Sequence, residues 1–121
     1  MLLASPKRAK KFFTEKMSFT TGPIELNEMM KSNENINIID VRKPEDFLKG
    51  HIPGAVNIPK DKWDNFESLS YDKNNIVYCY SEVCHLAAAA AKHFAENQYP
   101  VMELEGGFEQ WKQRDLPVEI S

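Results

Sequence analysis

Cys79 and Cys84 are the two cysteines of this 121-residue sequence, and both lie within residues 76–91, "IVYCYSEVCHLAAAAA". Cys79 ends an apolar run typical of a buried strand, and an alanine-rich stretch that favours a helix follows Cys84. The free backbone amides of such a loop, and of the first helical turn after it, favour a thiolate or a bound anion. A thiolate is the nucleophilic and sulfur-carrying form of cysteine. On this segment alone, two buried structural cysteines are an equally good interpretation.

The elements around this loop are predicted to alternate between strand and helix. Strands are expected at "INIID" (36–40), near residues 56–58, at "NIVYC" (75–79) and within "PVMELEGG" (100–107). Helices are expected from Pro23, from Pro44 to before Gly50, over 63–69, over 85–97, and from residue 107 until near Pro117. This alternation predicts an α/β domain with a mainly parallel sheet, whose ligand site lies beyond the carboxyl ends of the strands. Cys79 lies at such an end.

Composition excludes several classes of protein. A net charge of −3 does not suggest a nucleic-acid partner, and the sequence has no apolar run of the roughly 20 residues needed to span a membrane. Two cysteines are too few for a disulfide scaffold, no Cys-x-x-Cys metal pair occurs, and no metal or organic cofactor is expected. The first residues lack the continuous apolar region of a secretory signal, so a reducing cytoplasmic location is expected.

The first residues form a basic segment that is distinct from the rest of the chain. Residues 1–17 carry a net charge of +4, and the remainder carries −7. Residues 1–19 are interpreted as an accessory helix or a disordered arm ahead of a domain over 20–121. Contact of residues 1–17 with anionic lipid is the alternative.

Three short motifs, in order along the chain, resemble the rhodanese family. They are "DVR" at residues 40–42, "GHIPGA" at 50–55 and "EGGF" at 105–108, with Cys79 between the second and the third. The similarity extends from about Pro23 to Val118. It implies a rhodanese-like α/β sandwich with a central, mainly parallel sheet flanked by helices.

The resemblance also implies a function. Cys79 would be the catalytic residue of a sulfurtransferase: it would take sulfane sulfur as a persulfide and pass it to a thiol or another nucleophilic acceptor. The substrate-binding loop would consist of Tyr80, Ser81, Glu82, Val83 and Cys84. Asp40 and Arg42 follow a buried strand, and a buried pair of this kind is expected mainly to order the loops, although Arg42 could reach the mouth of the site. His51 is assigned a structural role.

The loop departs from the family pattern in two places. Thiosulfate-using members usually have a glycine in mid-loop and Arg, Lys, Thr or Ser at its end, whereas this chain has Glu82 and Cys84. Because thiosulfate is a dianion, Glu82 would repel it if it faced the site. A small-molecule persulfide or a protein persulfide is therefore as good a candidate donor as thiosulfate.

Cys84 leaves further interpretations open. It could resolve a persulfide or a sulfenic acid on Cys79 by forming a disulfide, or it could be a small hydrophobic residue beneath the helix. A thiol redox protein using the Cys79–Cys84 pair would have a lowered pKa at Cys79, and a non-enzymatic interaction module on the rhodanese fold is another alternative. Phosphatase or arsenate-reductase chemistry is disfavoured, because it would need a longer loop closed by an arginine.

Overall fold

A parallel sheet organises the chain in this computed structural model, which describes residues 2–121. In those residues the sheet has five strands: β1 (Thr20–Thr21), β2 (Ile36–Asp40), β3 (Val56–Asn57), β4 (Asn74–Tyr78) and β5 (Val101–Leu104). Their order is β1-β5-β4-β2-β3, and every neighbouring pair is parallel. The predicted architecture, an α/β sandwich with helices flanking a central, mainly parallel sheet, is confirmed.

Helices follow the strands, as βαβ connections require. They are α1 (Pro6–Phe19), α2 (Pro23–Lys31), α3 (Pro44–Lys49), α4 (Leu86–Glu96) and α5 (Gly107–Gln113), with a short 3-10 helix at Lys60–Lys62. The prolines at the starts of α2 and α3 lie where helices tolerate a missing amide hydrogen. Helix α5 ends at Gln113 rather than near Pro117, since Asp115 adopts a left-handed conformation with φ of 53°.

Alternating side chains of the central strands build a core on each face of the sheet. Ile38 pairs with Ile76 on one face, and Ile39 pairs with Val77 on the other. The first face packs against Leu26 of α2 and against Phe108 and Trp111 of α5, whereas the second packs against Ala87, Ala90 and Phe94 of α4. Cys79 belongs to the α4 face, so its side chain points toward the start of that helix.

The prediction of a helix over residues 63–69 is wrong. Hydrogen bonds to distant parts of the chain hold this segment in an irregular path. Trp63 Nε1 donates to the Ile58 carbonyl at 3.1 Å, and Asn37 Nδ2 donates to the Ser68 carbonyl at 2.8 Å. Buried Asn75 accepts a hydrogen bond from the Ser70 amide at 3.0 Å and donates to the Ser70 carbonyl at 2.8 Å. These partners replace the bonds that a helix would have supplied internally.

Helix α1 leads into the edge strand β1 and carries exposed apolar side chains. Phe12, Phe13 and Met17 are exposed, while Lys16 Nζ lies 3.3 Å from Glu105 Oε2 at the end of β5. The helix falls within the segment predicted over residues 1–19, of which Met1 lies outside the described residues; contact of this segment with lipid stays a prediction. Over residues 2–121, the helices are too short or too polar to cross a membrane.

Candidate active site

The carboxyl ends of three neighbouring strands bring the candidate site together. Asp40 ends β2, Cys79 follows β4, and Glu105 follows β5. A cavity of about 80 Å³ opens at this edge beside Cys79. Its lining residues come from the cysteine loop, the start of α4, and the turn between β5 and α5: Cys79, Ser81, Glu82, Ala87, Glu103, Leu104, Glu105, Gly106 and Gly107.

The two cysteines of the loop contact each other. Cys79 is only 2% exposed, and its Sγ lies 3.5 Å from the carbonyl oxygen of Cys84. Cys84 is half-buried, and its amide donates to the Ser81 carbonyl at 3.2 Å, closing the tight turn of the loop. Both cysteines are free. The loop thus holds a buried thiol in hydrogen-bond contact with the backbone of a more accessible cysteine.

The pKa values of the two thiols are shifted in opposite directions. The shift at Cys79 is opposite to the one expected for a redox protein that uses the Cys79–Cys84 pair. Burial and hydrogen bonding with Cys84 raise the pKa of Cys79 to about 11, although the amides of Ala87 and Ser81 act to lower it. Burial acts against Cys84 too, but hydrogen bonds from Cys79 and from the amides of Leu86 and Tyr80 leave its pKa lowered. The predicted lowering of the Cys79 pKa is therefore wrong.

The glycine turn before α5 supports the cysteine loop directly. Phe108 N donates to the Cys79 carbonyl and Glu109 N donates to the Tyr80 carbonyl, both at 2.9 Å. Gly107 has a φ of +61°, and a Cβ added there would lie 2.7 Å from the Ser81 nitrogen and 2.8 Å from the Cys79 oxygen. Only glycine permits this close approach of the two backbones.

The remaining loop residues take different positions. Ser81 and Glu82 line the cavity with Cys79, whereas the side chain of Val83 is 85% exposed. The Tyr80 hydroxyl donates to Asp46 Oδ2 and accepts a hydrogen bond from the Lys43 amide. Tyr80 lines a second pocket, separate from that of Cys79 and shared with Arg42, Lys49 and Lys112 among others.

Asp40 and Arg42 form a buried ion pair next to the site. Arg42 Nη2 lies 2.8 Å from Asp40 Oδ2 and donates to the Gly50 carbonyl at 2.6 Å. Asn57 Nδ2 donates to the carbonyls of both residues of the pair, at 3.0 and 2.9 Å. Arg42 is 4% exposed and stacks over the Phe108 ring, so the expectation that it reaches the mouth of the Cys79 site is wrong. The contacts of the pair are with backbone and core.

His51 lies away from the cavity and links backbone segments. Its Nδ1 is 2.8 Å from the Phe47 carbonyl oxygen, its ring stacks on Phe47 at 3.8 Å, and its backbone pairs with Glu119. His51 is buried. These contacts confirm its structural role.

Two residues of the site were missed by sequence reasoning. Glu103 and Glu105 line the cavity with Glu82, because β5 lies beside β4 in the sheet. The available signal was the position of both glutamates at the carboxyl end of a predicted strand. The strand order that brings them to Cys79 could not be read from the sequence.

Comparison with known proteins agrees with this arrangement. Residues 23–114 match the family model of the rhodanese-like domain. The chain belongs to the rhodanese-like domain family. The matched range contains most of the parallel sheet, the cysteine after β4 and the glycine turn that packs on the cysteine loop.

Individual members of the family resemble the whole domain. The thiosulfate sulfurtransferase GlpE of Actinobacillus succinogenes is 32% identical over 108 residues, covering 87% of this chain and 95% of GlpE. A transcriptional regulator of the HTH type from Mycobacterium tuberculosis, Rv0324, is 32% identical over 95 residues, but the match spans only 42% of its length. The crystal structure of BH2092 from Bacillus halodurans has a TM-score of 0.89 and 35% identity, covering 96% of this chain and 87% of that one. The chain is therefore similar both to a protein named as a sulfurtransferase and to part of a larger regulator.

Proposed function

We propose that this protein is a sulfurtransferase in which Cys79 carries sulfane sulfur as a persulfide. The observation that carries the proposal is the placement of Cys79 at the carboxyl end of β4, beside a small cavity and under amides of the loop and of α4. The amides that lower the pKa of the thiol would also stabilise the anionic persulfide. A reducing cytoplasm would keep both thiols free for this role.

The proposed loading step is a displacement at sulfur. The Cys79 thiolate attacks the sulfane sulfur of the donor, a new S–S bond forms, and the donor's own bond to that sulfur breaks with its electron pair leaving on the donor fragment. The acceptor thiolate then attacks the outer sulfur of the Cys79 persulfide, and the Cys79 thiolate leaves. The cycle consumes no oxidant, and Cys79 returns to its starting state.

The contact of the Cys79 thiol with the backbone of Cys84 favours a second role for Cys84 within this cycle. Its thiolate would attack Sγ of Cys79 in the persulfide, breaking the bond to the outer sulfur. This step releases hydrosulfide and leaves a Cys79–Cys84 disulfide, and an external thiol would then be needed to reopen the loop. Cys84 would thereby discharge a persulfide that meets no acceptor.

Sulfur transfer is expected to require Cys79 but not Cys84. With a sulfane-sulfur donor and dithiothreitol as the acceptor, sulfide release should fall to the uncatalysed rate in Cys79→Ser and should persist in Cys84→Ser. Without an acceptor, the loaded persulfide should last longer in Cys84→Ser than in the wild type, since serine cannot displace hydrosulfide. Equal sulfide release by wild type and Cys79→Ser would overturn the proposed function. Equal persulfide lifetimes would remove the resolving role alone.

A further inference from the structure

The cavity beside Cys79 is acidic. Glu82 reaches it from the cysteine loop, and Glu103 and Glu105 reach it from the end of β5. None of the residues that line the cavity is a lysine, arginine or histidine, within the part of the chain that the structure describes. The guanidinium of Arg42 faces the other pocket and is paired with Asp40. Three glutamates and no basic residue therefore line the cavity that opens beside Cys79.

The carboxyl groups from β5 are close enough to affect each other. Burial raises the pKa of Glu103 and the charge of Glu105 raises it further, whereas His85 acts in the opposite direction. The charge of Glu103 also raises the pKa of Cys84. Lys16 of α1 pairs with Glu105 at 3.3 Å, and because both side chains are nearly half exposed, it offsets that charge only in part.

Negatively charged side chains around the cavity would favour or disfavour the binding of a sulfur donor according to the charge of that donor. Opposite charges a few ångströms apart at a protein surface attract each other, like charges repel equally, and salt screens both effects. Thiosulfate would bring two negative charges to a cavity lined by three glutamates. A donor with an ammonium group beside its sulfane sulfur would gain attraction from the same carboxylates. The small size of the cavity, about 80 Å³, favours a small donor.

We propose that the donor class of this protein is a small sulfane-sulfur compound bearing a cationic amino group, and that Glu82, Glu103 and Glu105 select it against dianionic thiosulfate. This proposal rests on the proposed function, because it names the substrate of the same cysteine. Lys16 tunes the selection, because it neutralises part of the charge on Glu105. The donor preference is thus a property of the charges around Cys79.

Three donors of graded charge test the proposal with one kind of chemistry. Thiosulfate is a dianion, methanethiosulfonate is a monoanion, and 2-aminoethanethiosulfonate is a zwitterion. From each, the Cys79 thiolate takes the terminal sulfur, and sulfite or the matching sulfinate leaves with the electron pair. The readout is kcat/KM for sulfur uptake by Cys79. Intrinsic donor reactivity cancels when each variant is compared with the wild type for the same donor.

The triple variant Glu82→Gln/Glu103→Gln/Glu105→Gln is expected to improve the use of thiosulfate relative to the zwitterion by about tenfold or more. Lys16→Gln should instead increase the preference for the zwitterion over thiosulfate, since Glu105 loses its partner.

The matched control is Glu34→Gln, an exposed site just before β2 at the amino edge of the sheet, and it should leave the donor preference unchanged. Raised salt should narrow the donor preference of the wild type. Circular dichroism checks that each variant is folded, and Glu82→Gln on the exposed loop provides a variant with little effect on the core.

The outcomes separate this proposal from the function on which it rests. If all donors load Cys79 but the triple variant and Lys16→Gln keep the wild-type donor ratios, the charge selection is overturned and the sulfurtransferase stands. If no donor loads sulfur on the folded wild type, both fall together.

Discussion

Replacing Asp40 with alanine is expected to lower the free energy of unfolding by about 3–5 kcal/mol, because it leaves the buried guanidinium of Arg42 without its countercharge. Asp40 is fully buried and Arg42 nearly so. The Tyr78 hydroxyl donates to Asp40 Oδ2 at 2.6 Å and accepts a hydrogen bond from the Ile52 amide at 3.1 Å. Burial raises the pKa of Tyr78, which keeps the phenol protonated as a donor. Asp40→Ala therefore removes both the ion pair with Arg42 and the hydrogen bond from Tyr78.

Urea denaturation of purified variants measures this loss. The control is Glu28→Ala, which removes an exposed ion pair with Lys31 at 3.7 Å and should cost less than about 1 kcal/mol. Asp40→Asn keeps the shape of the side chain and some of its hydrogen bonds. Its loss of unfolding free energy should lie between the losses for Glu28→Ala and Asp40→Ala. A loss below about 1 kcal/mol for Asp40→Ala would show that the buried pair does not hold the loops around the site.

The rate of sulfur loading on Cys79 is expected to rise steeply with pH. The thiolate is the attacking species, and the pKa of Cys79 is raised to about 11, so the reactive fraction grows as the pH approaches that value from below. Each pH unit below the pKa corresponds to about a tenfold change in thiolate, which amounts to about a thousandfold from pH 7 to pH 10. The initial rate of sulfur uptake from methanethiosulfonate, measured over this range, gives the profile.

Cys84→Ser tests the cause of that profile. Hydrogen bonding with Cys84 and its charge both raise the pKa of Cys79, so removing the thiol should move the profile to lower pH and speed loading near neutrality. A wild-type profile that levels off below about pH 8, or one that Cys84→Ser leaves unchanged, would contradict this assignment.

Four of the five strands were predictable from sequence because they are locally distinct, whereas the two-residue edge strand β1 was not predicted. The β-branched runs at 36–40 and 75–79 became β2 and β4, and the five alanines after His85 became α4, whose small side chains let the helix pack closely on β4. The segment 63–69 was misassigned because its path depends on distant partners such as Asn37 and Asn75. Local propensity contains no information about those contacts.

The site was only partly predictable for a similar reason. Short sequence motifs identify both the cysteine loop and the glycine turn before α5. The position of Cys79 at a strand end follows from the apolar run that precedes it. The acidic pair on β5 reaches the cavity through the strand order, and the reversal of thiol acidity follows from the burial of Cys79 against a more accessible Cys84. Burial is a property of the assembled core and cannot be read from six residues of loop.

The most direct test of Cys79 as the sulfur carrier is the intact mass of the reduced protein after treatment with 2-aminoethanethiosulfonate, for the wild type, Cys79→Ser and Cys84→Ser. We expect the mass of one sulfur atom to be added to Cys84→Ser and, before the Cys79–Cys84 disulfide forms, to the wild type. We expect this added mass to be absent from Cys79→Ser and to be removed by dithiothreitol. Addition to Cys79→Ser with loss from Cys84→Ser would instead make Cys84 the carrier, in line with its lower pKa, and would contradict the assignment of that role to Cys79.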